Sequence, residues 1–190
     1  MVNLKYELFE TPGIVNTKKT LELAAENAKQ LEIDKIIIAS TMGDTIKEEL
    51  NFFNPKRTQI VCVTHNYGFR EGIHQTFPEE LKKELHEKGV EVVSGTLALS
   101  GVGSALLRKF QYFDMTTMFA KLIRTIICDG LKVGIEIALM AVDAGKISMG
   151  EDILTISGTG RGADTCCYLQ AASSRLFEKL RVKAILAKPK

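Results

Sequence analysis

Cysteine and histidine are scarce in this chain, with four and three residues among 190. Cys62, Cys128, Cys166 and Cys167 form no C-x-x-C pair and fall far short of a disulfide scaffold, which points to a reducing, cytoplasmic setting. His65, His74 and His86 lack metal-ligand spacing with one another or with cysteine, so no metal site is expected. Charge of one sign is also missing. The 25 basic residues against 23 acidic ones leave a net charge of +2 and no basic block, which argues against nucleic acid as a partner. The longest apolar region, Met115 to Ala144, is interrupted by Lys121, Arg124, Asp129, Lys132 and Glu136. A membrane span needs roughly 20 nearly uncharged residues, so no membrane partner is expected. The opening stretch, Met1 to Glu10, alternates charge with apolar groups and lacks a signal-peptide core.

What is present is the composition of a globular domain, 45% hydrophobic and 25% charged. There is no repeat, low-complexity tract or linker, so residues 1–190 are read as one domain. Helix and strand patterns alternate along it. Asn16-Thr17 caps an expected helix to Leu31, with Leu21, Ala24, Ala25, Ala28 and Leu31 at helical spacing. Lys35–Ala39, Gln59–Thr64, Val90–Ser94 and Ile153–Ser157 are short runs rich in β-branched residues, as expected of buried strands. Helices are expected over Asp44–Phe53, Pro78–Lys88, Ser104–Phe110, Met115–Cys128 and Leu131–Ala144. Cys166–Ala171 reads as a fifth strand after a connection too short for a crossover helix, and is expected antiparallel to the fourth. Leu176 to Ala187 fits a short helix or a strand equally. The pattern is that of an α/β/α domain with a mostly parallel sheet.

Ligands of such sheets bind outside the carboxyl ends of the strands. The segments arriving there are rich in glycine and hydroxyls: Ser40-Thr41-Met42-Gly43-Asp44-Thr45, His65 to Phe69, Leu99-Ser100-Gly101 and Gly158-Thr159-Gly160-Arg161-Gly162-Ala163-Asp164-Thr165. Asn16-Thr17 should reach the same rim. Glycine loops with hydroxyls, helix N-termini and an arginine are how proteins hold phosphate. The blander reading of Ser40–Thr45 is a helix cap, and of Arg161 a solvated loop charge. Neither glycine loop fits a dinucleotide fingerprint, since the late one leads into another strand. His65 suits acid–base work, ring stacking or simply a backbone hydrogen bond, while Tyr67 and Phe69 suit stacking or loop anchoring. A hydrolase or transferase built on His65 lacks an identifiable nucleophile. Cys166 and Cys167, on opposite faces of a strand, read as packing residues. The apolar circumference of Met115 to Ala144 exceeds what a core demands, which leaves room for a homo-oligomer interface.

The same residues resemble a known family. Asn16-Thr17 with Thr20-Leu21, Ala39 to Thr45, Thr64-His65 with Gly68-Phe69, Leu99 to Gly101, Val133 to Gly145 and above all Gly158 to Thr165 are similar to stand-alone, mostly archaeal proteins related to the carboxyl-terminal domain of pyruvate kinase. The chain departs from those relatives at Gln111 to Thr117, where they carry a glycine-rich turn. The resemblance implies a three-layer fold with a five-stranded mixed sheet in the order 3-2-1-4-5, strand 5 antiparallel. It further implies flavin mononucleotide (FMN) as a bound cofactor, its phosphate on Ser40 to Thr45 and Thr159 to Asp164. Two alternatives stay open: a regulatory or sensor domain that binds a sugar phosphate or nucleotide without chemistry, and a flavin-dependent oxidoreductase.

Overall fold

A computed structural model describes residues 3–190; Met1 and Val2 of the opening stretch lie outside the described residues. The strands are β1 (Glu7–Phe9), β2 (Lys35–Ala39), β3 (Gln59–Thr64), β4 (Glu91–Ser94), β5 (Asp152–Ser157), β6 (Thr165–Gln170) and β7 (Arg181–Pro189). The helices are α1 (Thr17–Leu31), α2 (Asp44–Glu49), α3 (Glu79–Glu87), α4 (Val102–Phe110), α5 (Met115–Ile126) and α6 (Asp129–Asp143). Short 3-10 turns occupy Ile14–Asn16 and Ser174–Lys179.

The central strands form where every residue can be buried on one face or the other. Ile36 and Ile38 of β2 point into one core with Cys62, Leu154 and Ile156, beneath α1, α2 and α3. Ile37 points into the opposite core with Val61, Val63 and Ile153, beneath α6 and α5. An apolar run without polar alternation is the signature of strands covered on both sides.

The sheet overturns the five-stranded expectation. It has seven strands in the order β1-β7-β6-β5-β2-β3-β4. β5, β2, β3 and β4 run parallel, and β6 is antiparallel to both β5 and β7. The two additional strands come from opposite chain ends. β1 is three residues long and pairs parallel with β7, Glu7 opposite Ala187 and Phe9 opposite Pro189. A strand this short has no periodic signature of its own and exists through its pairing. In β7 only Leu186, Ala187 and Pro189 are buried, while the first three residues are exposed, which is why the pattern there reads ambiguously.

One packing detail positions the site. Helix α6 lies close against β5 and β6 because Gly130 and Gly134 face them: a Cβ at Gly130 would collide with the Thr165 side chain, and one at Gly134 would sit 2.8 Å from Thr155 Oγ1. Ser157 Oγ donates to the Gly130 carbonyl at 2.7 Å. The close seat brings the first two turns of α6 to the carboxyl end of the sheet. The paired cysteines divide between the two cores, Cys166 in one and Cys167 in the other. Burial pushes the Cys166 thiol up to about 12 and Cys167 well above its ordinary value, so neither is a ready thiolate.

Candidate functional site

At the carboxyl ends of β2, β3 and β5 lies a cleft of about 780 Å³. Its walls come from the segment after β2 (Ser40, Thr41, Met42, Asp44, Thr45), the segment after β3 (His65, Phe69, Arg70) and the glycine loop (Gly158, Gly160, Arg161, Gly162). The remaining side is Ser100, Ser104 and Arg108 from the segment entering and forming α4, with Arg124 of α5 and Asp129, Lys132 and Glu136 of α6.

Among the residues expected from the sequence, Ser40, Thr41, Asp44, Thr45, His65, Phe69, Ser100, Gly158, Gly160, Arg161 and Gly162 line this cleft together. Ser40 Oγ accepts from the Ile46 N–H at 3.4 Å, tying the loop to α2. Arg161 Nη2 meets Asp44 Oδ2 at 2.5 Å, linking the two glycine-bearing loops. The imidazole of His65 stacks on the ring of Phe69, centroids 3.7 Å apart. Burial, and after it the charge of Arg70, hold His65 below its ordinary pKa, favouring the neutral ring. Its Nδ1 is buried with no hydrogen-bond partner among the described residues.

The other expected residues lie outside the lining and act as supports. Asp164, fully buried, accepts from the Gly13 N–H at 2.8 Å and the Thr159 N–H at 3.2 Å through Oδ2, and from Thr165 Oγ1 at 2.8 Å through Oδ1. Thr17 Oγ1 accepts from the Ala163 N–H at 3.0 Å and donates to the Ile14 carbonyl at 2.8 Å. These bonds hold the glycine loop against the turn before α1. Asn16 Nδ2 donates to the Thr11 carbonyl at 2.7 Å within that turn. Gly43 packs against Leu81, Gly68 N–H donates to the His74 carbonyl at 2.9 Å, and Gly101 lines a separate shallow depression.

Four cations of the cleft were not anticipated: Arg70, Arg108, Arg124 and Lys132. Lys132 is the most informative, since its side chain is 1% exposed. It pairs with Glu136 one turn later and donates to Ser100 Oγ at 2.9 Å. Glu136 Oε1 in turn accepts from the Leu99 N–H and the Ser100 hydroxyl, each at 2.8 Å. Burial lowers the Lys132 pKa and the Glu136 carboxylate opposes that shift. This cluster clamps the segment before α4 onto α6 and sets an ammonium in the cleft floor. The available signal was the i, i+4 spacing of opposite charges inside an otherwise apolar helix. Arg124 is paired with Asp129. Among the described residues no group of three or more His, Cys, Asp or Glu side chains is placed to hold a metal ion, and no helix is long and apolar enough to cross a membrane.

No known protein-family model matches the chain. Among solved structures, two crystal structures of pyruvate kinase from Cryptosporidium parvum are similar to it at 12% identity, with TM-scores of 0.42 and 0.41. Each match covers 85% of this chain but 24% and 23% of the respective pyruvate kinase chains. The chain thus spans about a quarter of the length of the solved structures it matches. A likeness this distant assigns neither ligand nor activity.

Proposed function

We propose that the cleft binds a phosphorylated small molecule, with FMN the first candidate. One observation carries the reading: five cations (Arg70, Arg108, Arg124, Lys132 and Arg161) converge with six hydroxyl side chains and the glycine loop on one cavity, against three carboxylates (Asp44, Asp129 and Glu136). The cations come from three regions of the chain: Arg70 after β3, Arg108, Arg124 and Lys132 on the consecutive helices α4 to α6, and Arg161 in the glycine loop. Five cations against three carboxylates leave a surplus of two positive charges in the concavity, which favours an anion there. The volume falls within the range of small-molecule pockets.

The residues also fit a planar ring beside the phosphate. The stacked His65–Phe69 pair offers a flat aromatic edge, and His65 Nδ1 is a buried polar atom in want of a partner. The motif resemblance to FMN-binding relatives supports flavin over other ring systems. A bound FMN would supply electron transfer. The chain's own contribution is to hold the phosphate with Arg161, the glycine loop and the Ser40 to Thr45 segment, and to position the ring with His65 and Phe69. The charged groups facing the cleft are largely engaged with one another, as in Lys132–Glu136, Arg124–Asp129 and Arg161–Asp44. That favours holding a ligand over transforming it, and keeps the sensor reading alongside a flavin-dependent oxidoreductase.

Titration of purified protein into FMN, followed by flavin fluorescence, tests the proposal. Saturable quenching at micromolar protein is expected. A parallel thermal-shift panel of sugar phosphates and nucleotides distinguishes the sensor reading, because a ligand selective for the folded state raises its melting temperature. No response to FMN or to any phosphorylated compound refutes the proposal.

A further inference from the structure

Helices α4 and α5 leave an apolar face uncovered. The inward face of α5 is Thr117, Ala120 and Ile123, all buried. Along its outward side, where a surface helix ordinarily carries charge, runs a line of exposed apolar residues, Met115, Met118, Leu122 and Ile126, with Lys121 and Thr125 beside it. Met115 is 81% exposed and Ile126 74%. The last residue of α4 adds Phe110, 69% exposed, and the turn after it adds Tyr112. Taking about 200 Å² for a fully exposed large residue, these six residues present roughly 760 Å² of surface, most of it apolar. That exceeds the largest patch on a typical monomer, about 300–600 Å², and approaches the roughly 800 Å² each partner buries in a standard stable interface.

We infer that this face is the interface of a homodimer in which α5 packs antiparallel against α5 of a second copy. The size of the patch and two features of the stripe select a second copy as the occupant. The stripe at 115, 118, 122 and 126 runs along one face of the helix at spacings of three and four residues, and a two-fold axis sets such a stripe against itself. The stripe contains no charged residue, so its apolar positions meet their copies without burying a charge.

The dimer also bears on the cleft. No residue of α4 is buried among the described residues, yet Ser104 and Arg108 of α4 form one cleft wall. Association fixes that wall by covering the apolar side of the same helix pair. This consequence rests on the ligand-binding reading above; the dimer itself does not.

Light scattering coupled to size exclusion at tens of micromolar should give the mass of two chains. In an antiparallel seam, position 115 of one copy faces 126 of the other. M115E/I126E places like charges together and should weaken association at least a hundredfold, with circular dichroism unchanged because both positions are exposed. M115K/I126E places opposite charges together and should remain dimeric. A monomeric wild type overturns the inference, as does a dimeric M115E/I126E; a monomeric M115K/I126E overturns the antiparallel seam. FMN affinity of M115E/I126E should fall about tenfold. A dimer that binds no FMN refutes the ligand reading and leaves the interface standing.

Discussion

The guanidinium of Arg161 meets the carboxylate of Asp44, Nη2 to Oδ2 at 2.5 Å, although the two residues stand 117 positions apart in the chain. Both side chains are largely exposed, 67% for Arg161 and 61% for Asp44. An ion pair that exposed contributes about 0–1 kcal/mol, whereas a hydrogen bond to a charged group contributes about 1.5–3 kcal/mol. An incoming phosphate can therefore take Arg161 from Asp44 at little cost. Arg161→Ala should weaken FMN binding by about 1.5–3 kcal/mol. Asp44→Asn should strengthen it by up to about 1 kcal/mol, because it removes the competitor. Isothermal titration of both variants checks the pair of opposite signs; equal losses in both would show the two residues acting as structure only.

Lys132 and Glu136 form a buried ion pair held by further hydrogen bonds to Ser100 and Leu99. Removing one partner of such a pair leaves the other charge buried and costs about 3–5 kcal/mol. Lys132→Met and Glu136→Leu should each be strongly destabilising in urea denaturation. The double variant should be less destabilised than the two single losses added together. Strict additivity would mean that the pair is not coupled.

Glu49 is fully buried, and neither carboxylate oxygen has a hydrogen-bond partner among the described residues. Burial pushes its carboxyl up to about 8. The folded state therefore keeps a proton that the unfolded chain, with glutamate at its ordinary value of about 4.5, releases. Folded protein binds more protons between those two values, so this group makes stability fall as pH rises from about 4.5 to about 8. Its favourable share is complete below the unfolded value and lost on passing the folded one. Glu49→Met keeps the volume and removes the titration. The variant should be more stable than the parent at pH 8 and should flatten that slope. Parallel stability–pH profiles would contradict the assignment.

Two glycines of the same loop separate conformation from contact. Gly160 and Gly162 both have positive φ, 75° and 77°. A Cβ at Gly160 meets nothing within 4 Å, but one at Gly162 would strike Thr17 Oγ1 and lie 2.7 Å from Ile14 Cα. Gly160→Ala should cost about 1–2 kcal/mol, from backbone strain alone. Gly162→Ala should cost more, since the turn before α1 must move as well, and should impair ligand binding disproportionately. Thermal denaturation with FMN titration measures both effects.

The central strands were legible because β2, β3 and β5 are short, β-branched and covered on both faces, a condition that leaves its mark in the residue string. The outer strands were not. β1 is defined by three pairings to β7 at the opposite end of the chain, and no local window contains that relationship. The expected order of five strands fails for this reason. At the site, glycine and hydroxyl loops could be read directly, and Asn16, Thr17, Asp164 and Thr165 stood out with them although they serve as supports behind the lining. Arg70, Arg108 and Arg124 could not be read, because all three are exposed and nothing in their local sequence says that they share one cleft. Lys132 and Glu136 stood out only as breaks in an apolar run, when their i, i+4 spacing marked the clamp that ties α6 to Ser100.

The most direct test of a phosphate-holding cleft is equilibrium binding of FMN to the purified chain, measured in parallel with Arg161→Ala and with riboflavin, which lacks the phosphate. Saturable micromolar binding of FMN is expected, weakened by Arg161→Ala and much weaker for riboflavin. Equal affinity for FMN and riboflavin, or no FMN binding by the unmodified chain, would contradict it.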